Sequence, residues 1–220
     1  MKCCGAKYYL NLKPLLGSMT DMDYSKMELR PVTTRNVFVI SDTHFGDEKM
    51  LSYLKADGSP ARPEFKTVNE MDDFMVEQWN SVVRPCDKVY HLGDVAIKAR
   101  NIHTLDKLNG DKVLIRGNHD TERLSLYRRY FRDVRAMHVH EGAILSHIPI
   151  HPDSMGRFEF NIHGHLHYNF VMRDDDTGGR IRSVRDDRYV NVCVEHFGYK
   201  PVLLSYVLET AKAKFSSAMW

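Results

Sequence analysis

Apolar and polar positions alternate along this chain with two different periods, and the places where the period switches mark its elements. Five short runs rich in β-branched and apolar residues, at 37–40, 88–92, 113–115, 143–145 and 160–162, are each cut off at once by polar residues, which predicts five strands. Between the first two, Val68, Met71, Phe74, Met75, Trp79, Val82 and Val83 keep close to one face of a 3.6-residue period and predict a helix over 67–83. Thr67 with Glu70 supplies a capping box at its start, and Pro85 lies just past its end. A second helix is expected over 99–108, where Ile102, Leu105 and Leu108 share a face and Asn109-Gly110 supplies the stop, and a third around 123–131. Later, 189–194 and 202–208 read as strands separated by Gly198 and Pro201, and 173–187 reads as an exposed turn or hairpin. Strands alternating with helices, then mostly strands, imply a layered α/β domain with at least one mixed sheet. Residues 1–35 show no sustained periodicity and read as an extension or arm, leaving one domain over 36–220.

Composition narrows the class. Apolar residues make up 43% of the 220 residues and charged ones 27%, close to globular averages, so the chain is expected to fold around one sizeable core. No apolar run approaches the length that crosses a bilayer, and Lys7, Lys13 and Pro14 interrupt the weakly apolar N-terminal stretch, so no membrane partner is expected. Cys3, Cys4, Cys86 and Cys193 contain no C-x-x-C pair, which argues against a zinc knuckle or disulfide framework and fits a reducing cytoplasm. A net charge of +2 does not favour a nucleic-acid partner, although arginines gather at Arg123, Arg128, Arg129, Arg132 and Arg135. Solvated helix surface is the simpler reading of that cluster.

Histidine changes the picture: there are twelve, several in short runs with Asp, Asn and Gly. The strands are followed in turn by Ser41-Asp42-Thr43-His44, Gly93-Asp94, Gly117-Asn118-His119-Asp120, Ser146-His147 and His163-Gly164-His165-Leu166-His167. Residues just beyond the carboxyl ends of strands in an α/β sheet converge on a crevice, so segments more than a hundred positions apart can meet there. Carboxylate, amide oxygen and imidazole without thiolate favour Mn²⁺, Fe or Zn²⁺ over copper(I) or iron–sulfur clusters. Asp42, His44, Asp94, Asn118, His147, His165 and His167 are too many for one open tetrahedral ion and suit two sharing a bridging carboxylate, for which Asp94 is the choice. Asp42 and His44, like His165 and His167, are two apart, a spacing that in extended chain points both side chains to one side.

Taken in order, D-x-H, G-D, G-N-H-D, a lone histidine after a strand, and G-H-x-H resemble the signature of the calcineurin-like metallophosphoesterase superfamily, over roughly residue 36 to the end. The chain is similar in particular to the short, single-domain bacterial and bacteriophage members. The resemblance implies an α-β-β-α sandwich with mixed sheets and a dinuclear metal site at the carboxyl ends of the strands. It implies Asp42, His44 and His167 on one metal, Asn118, His147 and His165 on the other, and Asp94 between them. Mn²⁺ is the first expectation, with Fe, Zn²⁺ or Ni²⁺ as alternatives. The activity implied is hydrolysis of phosphodiesters or nucleotide phosphate esters by a metal-bridging hydroxide. His119, left free of metal, can stabilise transition-state charge and protonate the departing oxygen as general acid. Asp120 either orients His119 or caps a helix.

Protein phosphatases of that superfamily usually read G-D-x-V-D-R-G, whereas Gly93-Asp94 here continues Val95-Ala96-Ile97-Lys98, which disfavours phosphoprotein substrates and removes a carboxylate that would support His119. Two other readings stay open: a non-catalytic interaction scaffold of the same fold, and a nuclease acting on DNA or RNA through the same metals. His91 in a strand and His103 on a helix read as packed or solvent-exposed residues, and His163 as a candidate support for a ligand. His151, Arg116 and Tyr168 read as loop residues near ligand segments, and Asp174, Asp175 and Asp176 lack calcium-loop spacing and read as an acidic turn.

Overall fold

Alternation decides how the first sheet is buried. Strand β1 (Val37–Ile40) turns Phe38 and Ile40 to one face and Val39 to the other, and β2 (Lys88–His91) and β3 (Asp111–Ile115) repeat the pattern. In the computed structural model, which describes residues 35–176 and 181–217, these strands run parallel in the order β1-β2-β3. The sheet is extended at one edge by parallel β4 (Asp133–Arg135) and at the other by an antiparallel pair with a late two-residue strand, Val202–Leu203. The expected arm over 1–35 lies, but for Arg35, outside the described residues.

One face of this sheet, through Phe38, Ile40, Val89 and Leu114, packs on helix α1 (Val68–Val82) and on the turn-rich segment Ala99–Lys107. Met71, Met75 and Trp79 of α1 are fully buried there, as its periodicity predicts, and each such side chain contributes roughly 1.5–3 kcal/mol by burial. The Trp79 indole N–H donates to the Asn109 carbonyl at 2.9 Å, tying α1 to the turn before β3. Phe74 departs from the expected face: it is 37% exposed and lies against the rings of Phe65 and Tyr199. The capping box forms with a shift of one residue, since Thr67 Oγ1 accepts the Glu70 N–H while the Glu70 carboxylate accepts the N–H of Lys66.

The opposite face, through Val39, Tyr90, Leu92, Val113 and Ile115, packs on Leu145 and Ile162 of a second, mixed sheet. That sheet holds β5 (Met137–His140), β6 (Ala143–Ser146), β7 (Phe160–His163) and β10 (Tyr189–Asn191) in the order β10-β7-β6-β5, with only the β5–β6 pair antiparallel. On its far side the short helix α3 (Pro152–Met155) and the loop before it are pinned by Asn161, whose Oδ1 accepts the Ile150 N–H. The layered α/β sandwich with mixed sheets is thus the architecture observed. Among the described residues no helix is long and apolar enough to cross a membrane.

Several elements differ from expectation. The segment 99–107 is a 3₁₀ helix rather than an α-helix, and the third helix shrinks to α2 (Leu124–Tyr127). The strand expected over 189–194 ends at Asn191 and passes into a 3₁₀ turn, Val194–His196. The strand expected over 202–208 is a strand for two residues only, after which helix α4 (Leu204–Ser217) takes over. Leu204, Val207, Leu208 and Ala211 fall on one helical face, and all four are buried in the second core. The acidic 173–187 segment forms an exposed antiparallel hairpin, β8 (Met172–Asp175) with β9 (Arg182–Arg185), whose Gly178-Gly179 lies outside the described residues.

Candidate metal centre

Every strand that precedes a metal-capable segment ends on the same side of the sandwich, so the loops after β1, β2, β3, β6 and β7 meet. Two groups of donors result, Asp42 with His44 and His167, and Asp94 with His147 and His165. Within each, the ligand-type atoms all lie within 4.8 Å of one another. Asn118 joins the second group, its Oδ1 standing 2.8 Å from His147 Nε2. Asp94 lies between the two: its Oδ2 is 3.3 Å from His147 Nε2 and 3.7 Å from His44 Nε2. All seven sequence-selected donors are therefore brought together.

They are not placed by extended chain. Asp42, His44, Asp94, His165 and His167 all have positive φ, between 48° and 68°, so the two-residue alternation invoked from sequence does not operate there. Backbone in this region is costly for non-glycine residues, and it persists where surrounding contacts hold it. Those contacts are visible. Asp42 N–H donates to the Gly93 carbonyl, His44 N–H to the Asp94 carbonyl, and His165 N–H to Asp42 Oδ2. Gly93 itself has φ of 97°, and a Cβ at Gly164 would run into Ser41 Oγ and Asp42 Oδ2, so the glycines of these motifs let the loops touch. Gly164→Ala is accordingly expected to weaken metal retention and lower thermal stability together, measured by elemental analysis and by thermal melting.

Imidazole orientation is fixed from behind. His44 Nδ1 lies 3.2 Å from Asp47 Oδ2, His167 Nδ1 3.0 Å from Glu195 Oε1, and His147 Nδ1 2.7 Å from the Leu92 carbonyl. With an acceptor at each Nδ1, that nitrogen carries the proton and Nε2 is left as a lone-pair donor facing the centre. Asp42 Oδ1 and His44 Nε2 are buried and have no hydrogen-bond partner, the condition expected of atoms meant for a cation. The donor set fits hard or borderline divalent ions.

The charges respond to one another. Burial works against the His44 cation, but the Asp42 and Asp47 carboxylates beside it raise its pKa from 6.5 to about 9. Burial likewise opposes the Asp42 and Asp94 carboxylates, yet neighbouring imidazoles hold both below the usual range. His165 goes the other way, lowered by burial and by His147. Protons and metal ions therefore compete for this centre.

Asp47, Glu195 and Arg62 were not singled out from sequence. Arg62 is wholly buried; it donates to Glu195 Oε1 and to the carbonyls of Asp42 and Thr43, so one guanidinium ties the support of His167 to the loop that carries Asp42. The buried Cys193 thiol, raised in pKa by burial and by Asp42, stands 3.2 Å from Asp42 Oδ2. No motif marks these residues, because each acts through a contact that only the fold creates.

The remaining candidates occupy definite places. His119 is exposed at the rim, its backbone N–H donating to Asp94 Oδ1 and its ring 5.4 Å from that of His44. Asp120 is buried, and its carboxylate accepts backbone N–H groups from Asp94, Val95 and Gly117, which clamps two ligand loops together. The nearby α2 takes Arg123, not Asp120, as its N-cap. Arg116 donates to the Asp120 carbonyl, His151 caps α3, and the Tyr168 hydroxyl donates to the Ala61 carbonyl.

His91 is completely buried under the loops: its Nδ1 accepts the Gly93 N–H, and its Nε2 stands 3.0 Å from Thr43 Oγ1, which donates to the Val95 carbonyl. His163 is buried against the Gly164 carbonyl and touches no ligand ring by a hydrogen bond. Burial lowers His91 to about 3 and His163 to about 4, so both are neutral in the fold while their unfolded counterparts titrate near 6.5. The unfolded chain then binds more protons below pH 6.5, and stability present above that pH is lost as pH falls. Urea unfolding of metal-free protein should show stability dropping between pH 6.5 and 5 by up to about 1.4 kcal/mol per pH unit for each histidine. A flat profile over that window would mean that these rings are not held neutral.

With the geometry in view, comparisons place the chain among known proteins. It is 33% identical over 187 residues to the uncharacterized protein MJ1445 of Methanocaldococcus jannaschii, a match spanning 81% of this chain and 92% of that one. It superposes on the crystal structure of AQ665 from Aquifex aeolicus, a protein of unknown function, with a TM-score of 0.56 and 25% identity, covering 80% of this chain and all of that one. The Pseudomonas putida nuclease MPE aligns over 60% of this chain and 62% of its own with 25% identity, but at a TM-score of 0.35, so likeness of fold rests on the Aquifex protein. No protein-family model matches the chain.

Proposed function

The chain belongs to one family with MJ1445 of Methanocaldococcus jannaschii, and from the centre its fold builds we propose that it is a metallophosphoesterase of the calcineurin-like type, hydrolysing phosphodiesters or nucleotide phosphate esters. The observation that carries this reading is Asp94 Oδ2, set between His44 Nε2 and His147 Nε2 where the two donor groups meet. Asp42, His44 and His167 would hold one divalent ion and Asn118, His147 and His165 the other, with Asp94 shared and Mn²⁺ the first candidate. Two such ions supply a nucleophile from water at neutral pH and offset the charge on phosphate oxygens.

The chain's own groups do the rest. His119 stands at the exposed rim beside His44, free to give a proton to the departing ester oxygen. Burial opposes the charge of Asp47, but His44 and the Lys49 N–H lower its pKa, and the carboxylate so held fixes the tautomer of His44. Asp120 acts by position, holding the Asp94 and Gly117 loops in register. A non-catalytic scaffold has no need of a complete donor set in which three of the four imidazoles are oriented for ligation from behind.

The direct test supplies Mn²⁺-loaded protein with bis(p-nitrophenyl) phosphate and with p-nitrophenyl phosphate. Hydrolysis of the diester that disappears on chelation and is impaired in His119→Ala is expected. Two bound ions without turnover of either ester would instead support the scaffold.

A further inference from the structure

The loop between the 3₁₀ turn Glu48–Leu51 and α1 carries an aromatic side chain that neither the core nor the donor set uses. Tyr53 is 51% exposed, and its ring lies 6.1 Å from that of the ligand candidate His167, tilted by 42°. The His167 ring is 5.2 Å from His44, which is 5.4 Å from His119. Four rings thus neighbour one another in succession, Tyr53, His167, His44 and His119, with the exposed Tyr53 and the exposed proton-donating candidate at the two ends and His44 buried between them. Among the described residues no hydrogen bond holds the Tyr53 hydroxyl, so its exposed face is not explained by a polar anchor.

The loop beneath it is closed on itself by backbone hydrogen bonds. Leu54 bridges Pro60, Ala61 N–H donates to the Tyr53 carbonyl at 2.8 Å, and Lys55 N–H donates to the Ser59 carbonyl at 2.8 Å. The Tyr168 hydroxyl donates to the Ala61 carbonyl, and Lys55 Nζ lies 4.4 Å over the Tyr168 ring. Arg62, next in the chain, is buried and bound to the carbonyls of Asp42 and Thr43. A tyrosine has few side-chain torsions to fix, so on a hydrogen-bonded loop beside a phosphate site it loses little conformational entropy when a second planar group stacks on it.

We propose that Tyr53 forms a stacking subsite for a planar aromatic group, such as a nucleobase, on the ester substituent that stays with the phosphorus when the bond on the His119 side breaks. This deepens the reading of the centre as a phosphoesterase and rests on it for the direction of the substrate. Stacking of a base on one aromatic side chain changes binding by roughly five- to a hundredfold and accepts any base. A nucleoside ester is therefore preferred over an alkyl ester of the same leaving group.

The experiment compares thymidine 5′-(p-nitrophenyl phosphate) with methyl p-nitrophenyl phosphate, and, in parallel, calorimetric binding of AMP with that of ribose 5-phosphate, all on Mn²⁺-loaded protein. Tyr53→Ala should lower kcat/KM for the thymidine ester about tenfold or more, chiefly through KM, and leave the methyl ester unchanged, while Tyr53→Phe keeps wild-type behaviour. AMP affinity should fall in Tyr53→Ala by a similar factor and ribose 5-phosphate affinity should not. If neither ester is hydrolysed but the binding contrast appears, the subsite stands and the hydrolytic reading falls. If the two phosphates bind with equal change or with no change in Tyr53→Ala, or if two hydrolysed esters respond equally or not at all, the subsite is overturned.

Discussion

Replacing Asp94 by asparagine is expected to reduce hydrolysis of bis(p-nitrophenyl) phosphate by more than roughly a hundredfold, because changes to groups that merely support a metal ligand already cost about 10- to 100-fold. The carboxylate does two jobs at once. Its Oδ2 faces imidazoles of both donor groups, and its Oδ1 accepts the backbone N–H of His119. An amide keeps the size and the acceptor for His119 but removes the negative charge that opposes two cations, so loss should appear in metal retention as well as in rate. Steady-state rates measured with elemental analysis of the same samples separate the two. Full activity in Asp94→Asn would remove the case for a shared carboxylate.

The largest effect on stability should come from Arg62→Met. The side chains of Arg62 and Glu195 are both wholly buried, and the ion pair, 2.9 Å between Nη2 and Oε1, is also what holds His167. Burial pushes the Glu195 pKa up, and Arg62 first and then His167 overcome it. Removing the guanidinium leaves a carboxylate in the interior with one imidazole for a partner, a loss of about 3–5 kcal/mol. For a domain of this size that corresponds to a fall in Tm on the order of 10 °C. The double variant Arg62→Met with Glu195→Gln should recover part of the loss, since it no longer buries an unpaired charge. Thermal melts of the metal-free proteins decide this, and a single-variant shift below about 1 kcal/mol would show that solvent reaches the pair.

Much of the centre was legible because its chemistry is written in short motifs at strand ends. Gly93-Asp94 and Gly164-His165 combine a donor with the only residue that allows the loops to touch, so spacing and residue type point to the same place. Helix α1 was legible for a similar reason, since one uninterrupted periodic face carries Met71, Met75 and Trp79 inward. Helix α4 was not, because its first buried residues follow directly on the strand pair Val202–Leu203, and a run of V-L-L reads as strand until Val207, Leu208 and Ala211 reveal the longer period. Strand β4 is three partly buried residues, too short for alternation to show, and β5 alternates in the opposite sense, with apolar Met137 and Val139 exposed and His138 and His140 half-buried, so it carries no sign of a buried apolar face. Arg62, Asp47 and Glu195 were silent in sequence, since a lone charge has no signature until the fold sets it behind a particular imidazole.

The left-handed backbone at five donors could not be read from spacing either, and it indicates how the centre is built. Extended chain would carry Asp42 and His44 along a strand edge, whereas the observed turns bend them back over the strand ends. The cost is met by hydrogen bonds between loops, most directly from His165 N–H to Asp42 Oδ2 and from the Asp94 and Gly117 N–H groups to Asp120. Changes in any one of these loops should therefore be felt in the others.

The most direct test is metal stoichiometry after equilibrium dialysis against Mn²⁺, in the wild-type chain and in His167→Ala and His147→Ala. Two ions per chain are predicted for the first and about one for each variant, because each histidine serves a different donor group. A wild-type chain that retains no ion, or two variants that both keep the wild-type content, would contradict the assignment of these side chains to a dinuclear centre.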